Sequence, residues 1–148
     1  MNLSNDALCN AERIVRLVLS PNDVDEETRL PLQAFISLRP NEKGISFLRL
    51  DLIGKDAVIA IGKDREAKFN LNAEEKNTFV GWLQGVVGDL QAINPQVIQI
   101  VVNNPEKKPE HAEIRFCKDG ELVKGIVTDA YILDILDEVY HTLEYVTV

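Results

Sequence analysis

Histidines and carboxylates are the side chains in this sequence that most readily carry out acid–base or metal chemistry. His111 lies in a charged loop, and His141 follows Asp137 by four residues and Glu138 by three. In a helix this spacing places an imidazole and two carboxylates on one face, as a metal site requires. Acidic helix faces are more often solvated surface, and neither histidine lies in a recognisable motif. We therefore expect no catalytic residue, no metal and no cofactor.

The cysteines and the glycine patterns also disfavour the common enzyme classes. Cys9 and Cys117 are far apart in the sequence, and neither lies in a C-x-x-C spacing. Cys117 follows Phe116 in a predicted strand, where cysteine usually behaves as a small apolar side chain. The sequence contains no G-x-x-x-x-G-K-[ST], G-x-G-x-x-G, G-x-S-x-G or H-E-x-x-H motif. We therefore expect that the protein is not an enzyme.

Composition indicates one acidic domain. The 148 residues are 45% hydrophobic, which is enough to fill a single core without metals or disulfides. The 24 acidic residues exceed the 16 basic ones, and the formal net charge of −8 disfavours phosphate backbones and anionic membranes as partners. The start has no apolar run typical of a signal peptide, and the end carries no anchor signal. We expect a soluble cytoplasmic protein without membrane attachment.

Two segments show the spacing of three and four that is typical of an amphipathic helix. The first predicted helix runs from about Ala73 to Ile93, with Asn72 as its N-cap. The second runs from about Ala130 to Tyr145, with Asp129 as its N-cap. Each helix is expected to pack its apolar face on a core.

Short apolar and β-branched runs separated by turn signals precede each predicted helix, and this pattern is typical of antiparallel strands. We predict a three-strand meander before each helix, the second containing a hairpin turn at Asp119-Gly120. The predicted strands are Ile45–Leu52, Ala57–Ile61 and Ala67–Leu71, then Val97–Val102, Ala112–Cys117 and Leu122–Val127. The expected fold class is therefore α+β.

The two halves share an order of three strands and a capped helix, which suggests a pseudo-duplicated βββα unit. Residues 45–94 form the first unit and residues 95–148 the second, within one domain of residues 1–148. Helices after hairpins are common in α+β domains, so the shared order also has an explanation without duplication. This order resembles, in architecture only, the PUR-repeat and whirly-type single-stranded nucleic-acid binders. The resemblance covers Ile45 to Val148, implies nucleic-acid binding and transfers no binding residue.

Residues 1–44 form an N-terminal segment that contains a long excursion at residues 21–40. Ile14 to Leu19 predicts a strand, with the end of an N-terminal helix as the alternative. Long loops are often functional, so we expect the excursion to contact a partner, and the alternative is a flap that covers a sheet edge. The candidate contact residues are Asp23, Asp25, Glu26, Glu27 and Phe35.

Acidity without a catalytic motif favours a non-enzymatic protein–protein interaction module, such as an adaptor, inhibitor, immunity-like factor or assembly subunit with a basic partner. Single-stranded nucleic-acid binding is the alternative, because aromatic and basic residues occur together in the first meander. The competing explanation places Phe47 in the core and pairs the lysine and arginine side chains with nearby carboxylates. Open strand edges also favour a two-fold homodimer. The nucleic-acid candidates are Phe47, Arg49, Lys63, Arg65 and Lys68.

Overall fold

The computed structural model describes residues 1–148, and its α+β architecture confirms the predicted fold class. Seven strands form one antiparallel sheet in the order β4-β5-β2-β1-β3-β7, with β6 paired to β5. The strands are β1 Arg13–Ser20, β2 Ile45–Arg49, β3 Thr78–Val86, β4 Ile98–Val101, β5 His111–Lys118, β6 Glu121–Leu122 and β7 Glu144–Thr147. The helices are α1 Leu50–Ile53, α2 Lys55–Asn70, α3 Val87–Ile93 and α4 Ala130–Thr142. None of these helices is both long enough and apolar enough to cross a membrane.

Helices cover both faces of the sheet, and each face has its own hydrophobic core. The larger core lies between the sheet and α3, α4 and residues 24–38, with Phe47 and Phe116 among its buried members. The smaller core lies between the opposite face and α1 and α2, and it buries Val58 and Trp82. β1 supplies both cores because successive side chains of a strand point to opposite faces.

The second predicted unit is confirmed in its order of elements. Asp129 caps α4, since its carboxylate accepts the backbone N–H groups of Tyr131 at 2.9 Å and Ile132 at 3.3 Å. The turn at Asp119-Gly120 joins β5 to β6. Two elements of this unit end earlier than predicted. Strand β6 is shorter than the predicted strand, and the last residues of the predicted helix form β7, which pairs with β3.

The predicted helix from Ala73 to Ile93 is wrong over most of its length. Thr78–Val86 is strand β3, which pairs with β1 along its whole length, and only Val87–Ile93 is helical. Glycine lowers helix propensity, and β3 contains two glycines, of which Gly81 has φ +153°. Asn72, the predicted cap, lies in the connection between α2 and β3. Pairing with a distant strand therefore prevails over a local apolar spacing that fits a helix.

Two predicted strands of the first half are also wrong, because Ala57–Ile61 lies within α2 and Ala67–Leu71 covers its last turn and cap. α2 is rich in Ala, Lys, Glu and Arg, which favour helix, but its apolar residues form no single stripe. Gly62 allows close packing, since a Cβ there would lie 2.6 Å from the ring of Phe79. The first half therefore has the order β-α-α-β-α, and the predicted duplication does not extend to it.

Candidate functional site

The chain between β1 and β2, residues 21–44, is an ordered excursion with an acidic tip. Asp25 shapes the tip, because its carboxylate accepts the backbone N–H groups of Thr28 at 3.0 Å and Glu27 at 2.9 Å. These hydrogen bonds hold the pKa of Asp25 below its ordinary value. Glu26 and Glu27 remain exposed at the tip, where their charges are free to meet a partner.

The excursion packs against α4 through two side-chain hydrogen bonds. The hydroxyl of Tyr140 donates to the carbonyl oxygen of Pro31. The side-chain amide of Gln33 donates to the carboxylate of Asp137. Leu133 precedes Asp137 by one helical turn, so it lies on the side of α4 that the excursion contacts. These contacts join the surface of the excursion to that of the helix.

Both segments of this joined surface, which we call the acidic contact surface, carry exposed leucines and carboxylates. Leu30 is 52% exposed in the excursion, and Leu133 is 45% exposed on α4. Exposed leucines amid carboxylates are typical of a protein interface, in which apolar residues form the centre and charges the rim. The surface is formed by Glu26, Glu27, Leu30, Leu32, Leu133, Asp134, Asp137 and Glu138.

On its other side the excursion borders a gap in the sheet. Strands β1 and β2 separate after Val15 and Leu48, the last positions at which they pair. Continuing this register would place Leu17 opposite Ser46. Instead, the carbonyl oxygen of Ser46 accepts a hydrogen bond from Nη1 of Arg16 at 2.9 Å. A guanidinium therefore takes the place of a backbone donor where the sheet opens.

The gap leads into a cleft of about 320 Å³ that we call the arginine cleft. It is lined by residues from β1, β2, α2 and the excursion. The apolar part of the lining is formed by Leu17, Leu19, Phe35 and Phe69. The charged part is formed by Arg16, Asp23, Arg39, Glu42 and Arg65.

Arg16 is held in the cleft by neutral groups. Its Cζ atom lies 4.6 Å from the ring centroid of Phe35, and its Nε donates to the Phe35 carbonyl at 3.2 Å. Burial, together with the positive charge of Arg39, lowers the pKa of Arg16 to about 10. The guanidinium therefore stays protonated at neutral pH although water only partly surrounds it.

The two carboxylates of the cleft stabilise the backbone around it. Asp23 accepts the N–H of Leu19 at 2.9 Å, on the edge of β1 that β2 leaves unpaired. Glu42 accepts the N–H of Arg39 at 2.7 Å. Both therefore have a role in shaping the walls, while their charges partly offset those of the arginines.

The structure divides the predicted contact residues of the excursion between these two surfaces. Asp23 and Phe35 line the arginine cleft. Asp25 shapes the tip of the excursion, and Glu26 and Glu27 at this tip belong to the acidic contact surface. The predicted partner-binding residues thus lie on one ordered segment, but they do not form one patch.

The predicted nucleic-acid surface is not formed on the strands. Phe47 is 2% exposed in the larger core, and Arg49 is 0% exposed, because both faces of β2 are covered. Lys63, Arg65 and Lys68 lie on α2 rather than around a hairpin. Arg65 alone of this set lines the arginine cleft. Phe47 and Arg49 therefore have no free side-chain surface for a base or a phosphate.

Sequence reasoning identified Arg65 as a candidate but missed Arg16 and Arg39, the other two arginines of the cleft. Arg16 stands between Ile14 and Val18 at alternating positions of β1, where the larger core requires apolar side chains. A charged residue in the middle of an apolar strand is the signal that identifies it. Arg39 and Glu42 carry no such signal, since charged residues are ordinary in a loop.

The histidines identified from the sequence border the two surfaces, His111 beside Arg16 and Arg65 of the arginine cleft and His141 beside Asp137 of the acidic contact surface. His141 places its Nδ1 3.4 Å from a carboxylate oxygen of Asp137. No group of three or more His, Cys, Asp or Glu side chains is arranged to hold a metal ion. His111 lies beside β1 and β2, and burial lowers its pKa.

No protein-family model, curated protein or solved structure matches this chain significantly. The function proposed below rests on the residues and the geometry described above.

Proposed function

We propose that the protein is a non-enzymatic protein–protein interaction module, acting as an adaptor, inhibitor, immunity-like factor or assembly subunit, and that its partner is a basic protein. The observation that carries this proposal is the hydrogen bond between Gln33 and Asp137, which joins the excursion to α4. This contact fixes the position of two segments that each carry exposed leucines and carboxylates. Residues of this kind, held on ordered elements, are those that partners recognise.

The chemistry of the surface selects the partner. Leu30 and Leu133 provide exposed apolar area, and covering apolar area on association is favourable. Glu26 and Glu27 on the excursion and Glu138 on α4 add exposed negative charge. Negative charge at the rim attracts a positively charged partner and repels acidic ones, so it contributes mainly to specificity and to the rate of association.

Affinity capture from an extract of the source cell, followed by binding measurements with the purified partner, tests this proposal. The tagged chain is expected to retain a basic protein whose binding weakens as salt increases. The Glu26→Lys/Glu27→Lys variant is expected to bind about tenfold less tightly or worse, because both rim charges are reversed. Leu133→Ser is expected to weaken binding through lost apolar contact rather than through charge.

The control carries the same charge change in another loop. Glu74 and Glu75 are adjacent and exposed between α2 and β3, so Glu74→Lys/Glu75→Lys has the same net charge as the tip variant. Equal loss of binding in both variants would show that only total charge matters. An acidic partner, or binding unaffected by Leu133→Ser, would argue against the acidic contact surface.

The proposal also includes the kind of partner, which is either a basic protein or a second copy of this chain, and the cellular location of the protein. Native mass measurement of the purified chain distinguishes a basic partner from a second copy, the homodimer that open sheet edges favour.

Cys9 and Cys117 are free thiols, and we place the protein in the cytoplasm, where thiols remain reduced. Chemical labelling of both thiols in intact cells tests that placement.

A further inference from the structure

The arginines of this chain fall into two groups. Arg13, Arg49 and Arg115 each pair with a carboxylate. Arg16, Arg29, Arg39 and Arg65 form no salt bridge with any residue of the chain, although acidic residues outnumber basic ones. All of this second group except Arg29 line the arginine cleft. The cleft therefore concentrates guanidinium groups that form no salt bridge within the chain.

One nitrogen of the Arg16 guanidinium makes no hydrogen bond within the protein. Its Nε and Nη1 donate to the carbonyl oxygens of Phe35 and Ser46, and its Nη2 donates to no protein atom. No buried side-chain nitrogen or oxygen of the structure lacks a partner, so Nη2 is open to solvent, and Arg16 lines the cleft. An ionised acceptor there would form a charge-assisted hydrogen bond, which is stronger than one to water.

The charge and the apolar lining limit what the cleft binds. Asp23 and Glu42 offset two of the three guanidinium charges, so one negative charge on a ligand completes the neutralisation of the cleft. Phe35 and Phe69 offer aromatic surface, and Phe69 is 44% exposed. A cleft of about 320 Å³ holds only a small molecule.

We propose that the arginine cleft binds a small organic carboxylate with an aromatic or aliphatic body. The carboxylate receives hydrogen bonds from Arg16, with Arg39 and Arg65 adding charge. The Nη2 group of Arg16, which donates to no protein atom, supplies a charge-assisted hydrogen bond to a carboxylate oxygen. The apolar body lies against Phe35 or Phe69. This site is separate from the acidic contact surface, so it stands or falls independently of the proposed partner.

Titration of the purified chain with phenylacetate, followed by calorimetry and by NMR shifts of labelled protein, tests the proposal. We expect saturable binding at one site, with shifts centred on Arg16 and Phe35. Phenylacetamide has the same shape without the charge and is expected to bind at least about tenfold less tightly, because a charge-assisted hydrogen bond is lost. Phenyl phosphate and inorganic phosphate are expected to bind less tightly than phenylacetate, because at neutral pH they carry more negative charge than one unmatched guanidinium offsets.

Arginine variants locate the binding. Arg65→Gln removes a cleft charge that makes no hydrogen bond within the protein, so the fold is preserved and affinity is expected to fall about tenfold. Arg39→Gln is expected to act in the same direction. Arg29→Gln is the matched control, since Arg29 is also exposed and unpaired but lies outside the cleft.

Four results would overturn the proposal. These are equal affinity for phenylacetate and phenylacetamide, tighter binding of a phosphate than of phenylacetate, no saturable binding of any probe at millimolar concentration, and equal loss in Arg65→Gln and Arg29→Gln. None of these results bears on capture of a basic protein by the acidic contact surface. The two proposals therefore fail separately.

Discussion

Arg49 and Glu12 form an ion pair that is sealed from solvent, with Nε of Arg49 2.7 Å from Oε2 and Nη2 2.9 Å from Oε1 of Glu12. The remaining guanidinium hydrogens are also used. Nη2 donates to the carbonyl oxygens of Ser4 and Ala7, and Nη1 donates to that of Pro109 at 3.0 Å. One side chain of β2 therefore ties the N-terminal residues and the loop before β5 to the centre of the sheet.

Replacement of Arg49 by methionine is expected to lower the free energy of unfolding by roughly 3–5 kcal/mol, because it leaves a buried carboxylate without its partner. Urea denaturation measures the change. Arg13→Met is the control, since Arg13 pairs with Asp51 at the surface and that pair contributes no more than about 1 kcal/mol. An Arg49→Met variant as stable as Arg13→Met would contradict this account of the buried pair.

Phe47 tests the position of β2 between two cores. Phe47→Ala is expected to cost about 3–5 kcal/mol of stability, because it leaves a cavity in the larger core. Lys63→Gln/Lys68→Gln is expected to change stability by no more than about 0.5 kcal/mol, since both side chains are exposed on α2. Thermal and urea unfolding measure both variants. A stable Phe47→Ala protein would mean that the side chain is not in the core.

Gly81 marks the place where β7 approaches β3 most closely. A Cβ on Gly81 would collide with the carbonyl oxygen of Val146, and its φ of +153° is one that other residues rarely adopt. Gly81→Ala is therefore expected to lose about 1–3 kcal/mol of stability. Gly120→Ala is the control, because Gly120 also has positive φ but has open space around it. Equal losses would show that β7 does not pack there.

His111 is expected to make stability depend on pH. Burial lowers its pKa from the ordinary value of 6.5, and this effect exceeds the opposing effect of the Glu110 charge; Lys108 and Arg65 lower the pKa by smaller amounts. The unfolded chain therefore binds a proton more readily than the folded one, so stability is lost as pH falls through and below 6.5.

Urea titrations at about pH 7 and about pH 5 measure this effect. The wild-type protein is expected to lose more unfolding free energy between these two conditions than His111→Gln. The control is His141→Gln, whose side chain is exposed on α4, and which is expected to keep the wild-type dependence. If His111→Gln also kept it, another group would be responsible.

The second half of the fold was predictable because its signals are local. Asp129 before an apolar stripe specifies the start of α4, and an Asp-Gly pair specifies the turn after β5. The strand at Ile14–Leu19 was also predictable, since β-branched residues in a short apolar run favour pairing. In these segments the local pattern and the tertiary environment require the same structure.

The first half was not predictable from the same patterns. The apolar residues of Thr78–Val86 fit a helical spacing, but β1 supplies a pairing partner that is remote in the sequence. The segment of α2 contains an apolar run that fits a strand, and its helical propensity is spread over polar residues. The arginine cleft was hidden for a related reason, because Arg16, Arg39 and Arg65 come from three elements that only the folded sheet brings together.

Strands β1 and β2 pair only at Ile14 with Arg49 and Val15 with Leu48, and this short pairing divides the sheet into two groups of strands. On one side of it lie β1, β3 and β7, and on the other lie β2, β5, β4 and β6. Strand β3 of the first group lies between β2 and β4 of the second group in the sequence, and β7 follows the whole second group, so neither group is one continuous segment of the chain. Most pairings close long loops before they gain stability, which slows folding relative to helical proteins of this size. We expect the sheet to assemble in one late, concerted step rather than half by half.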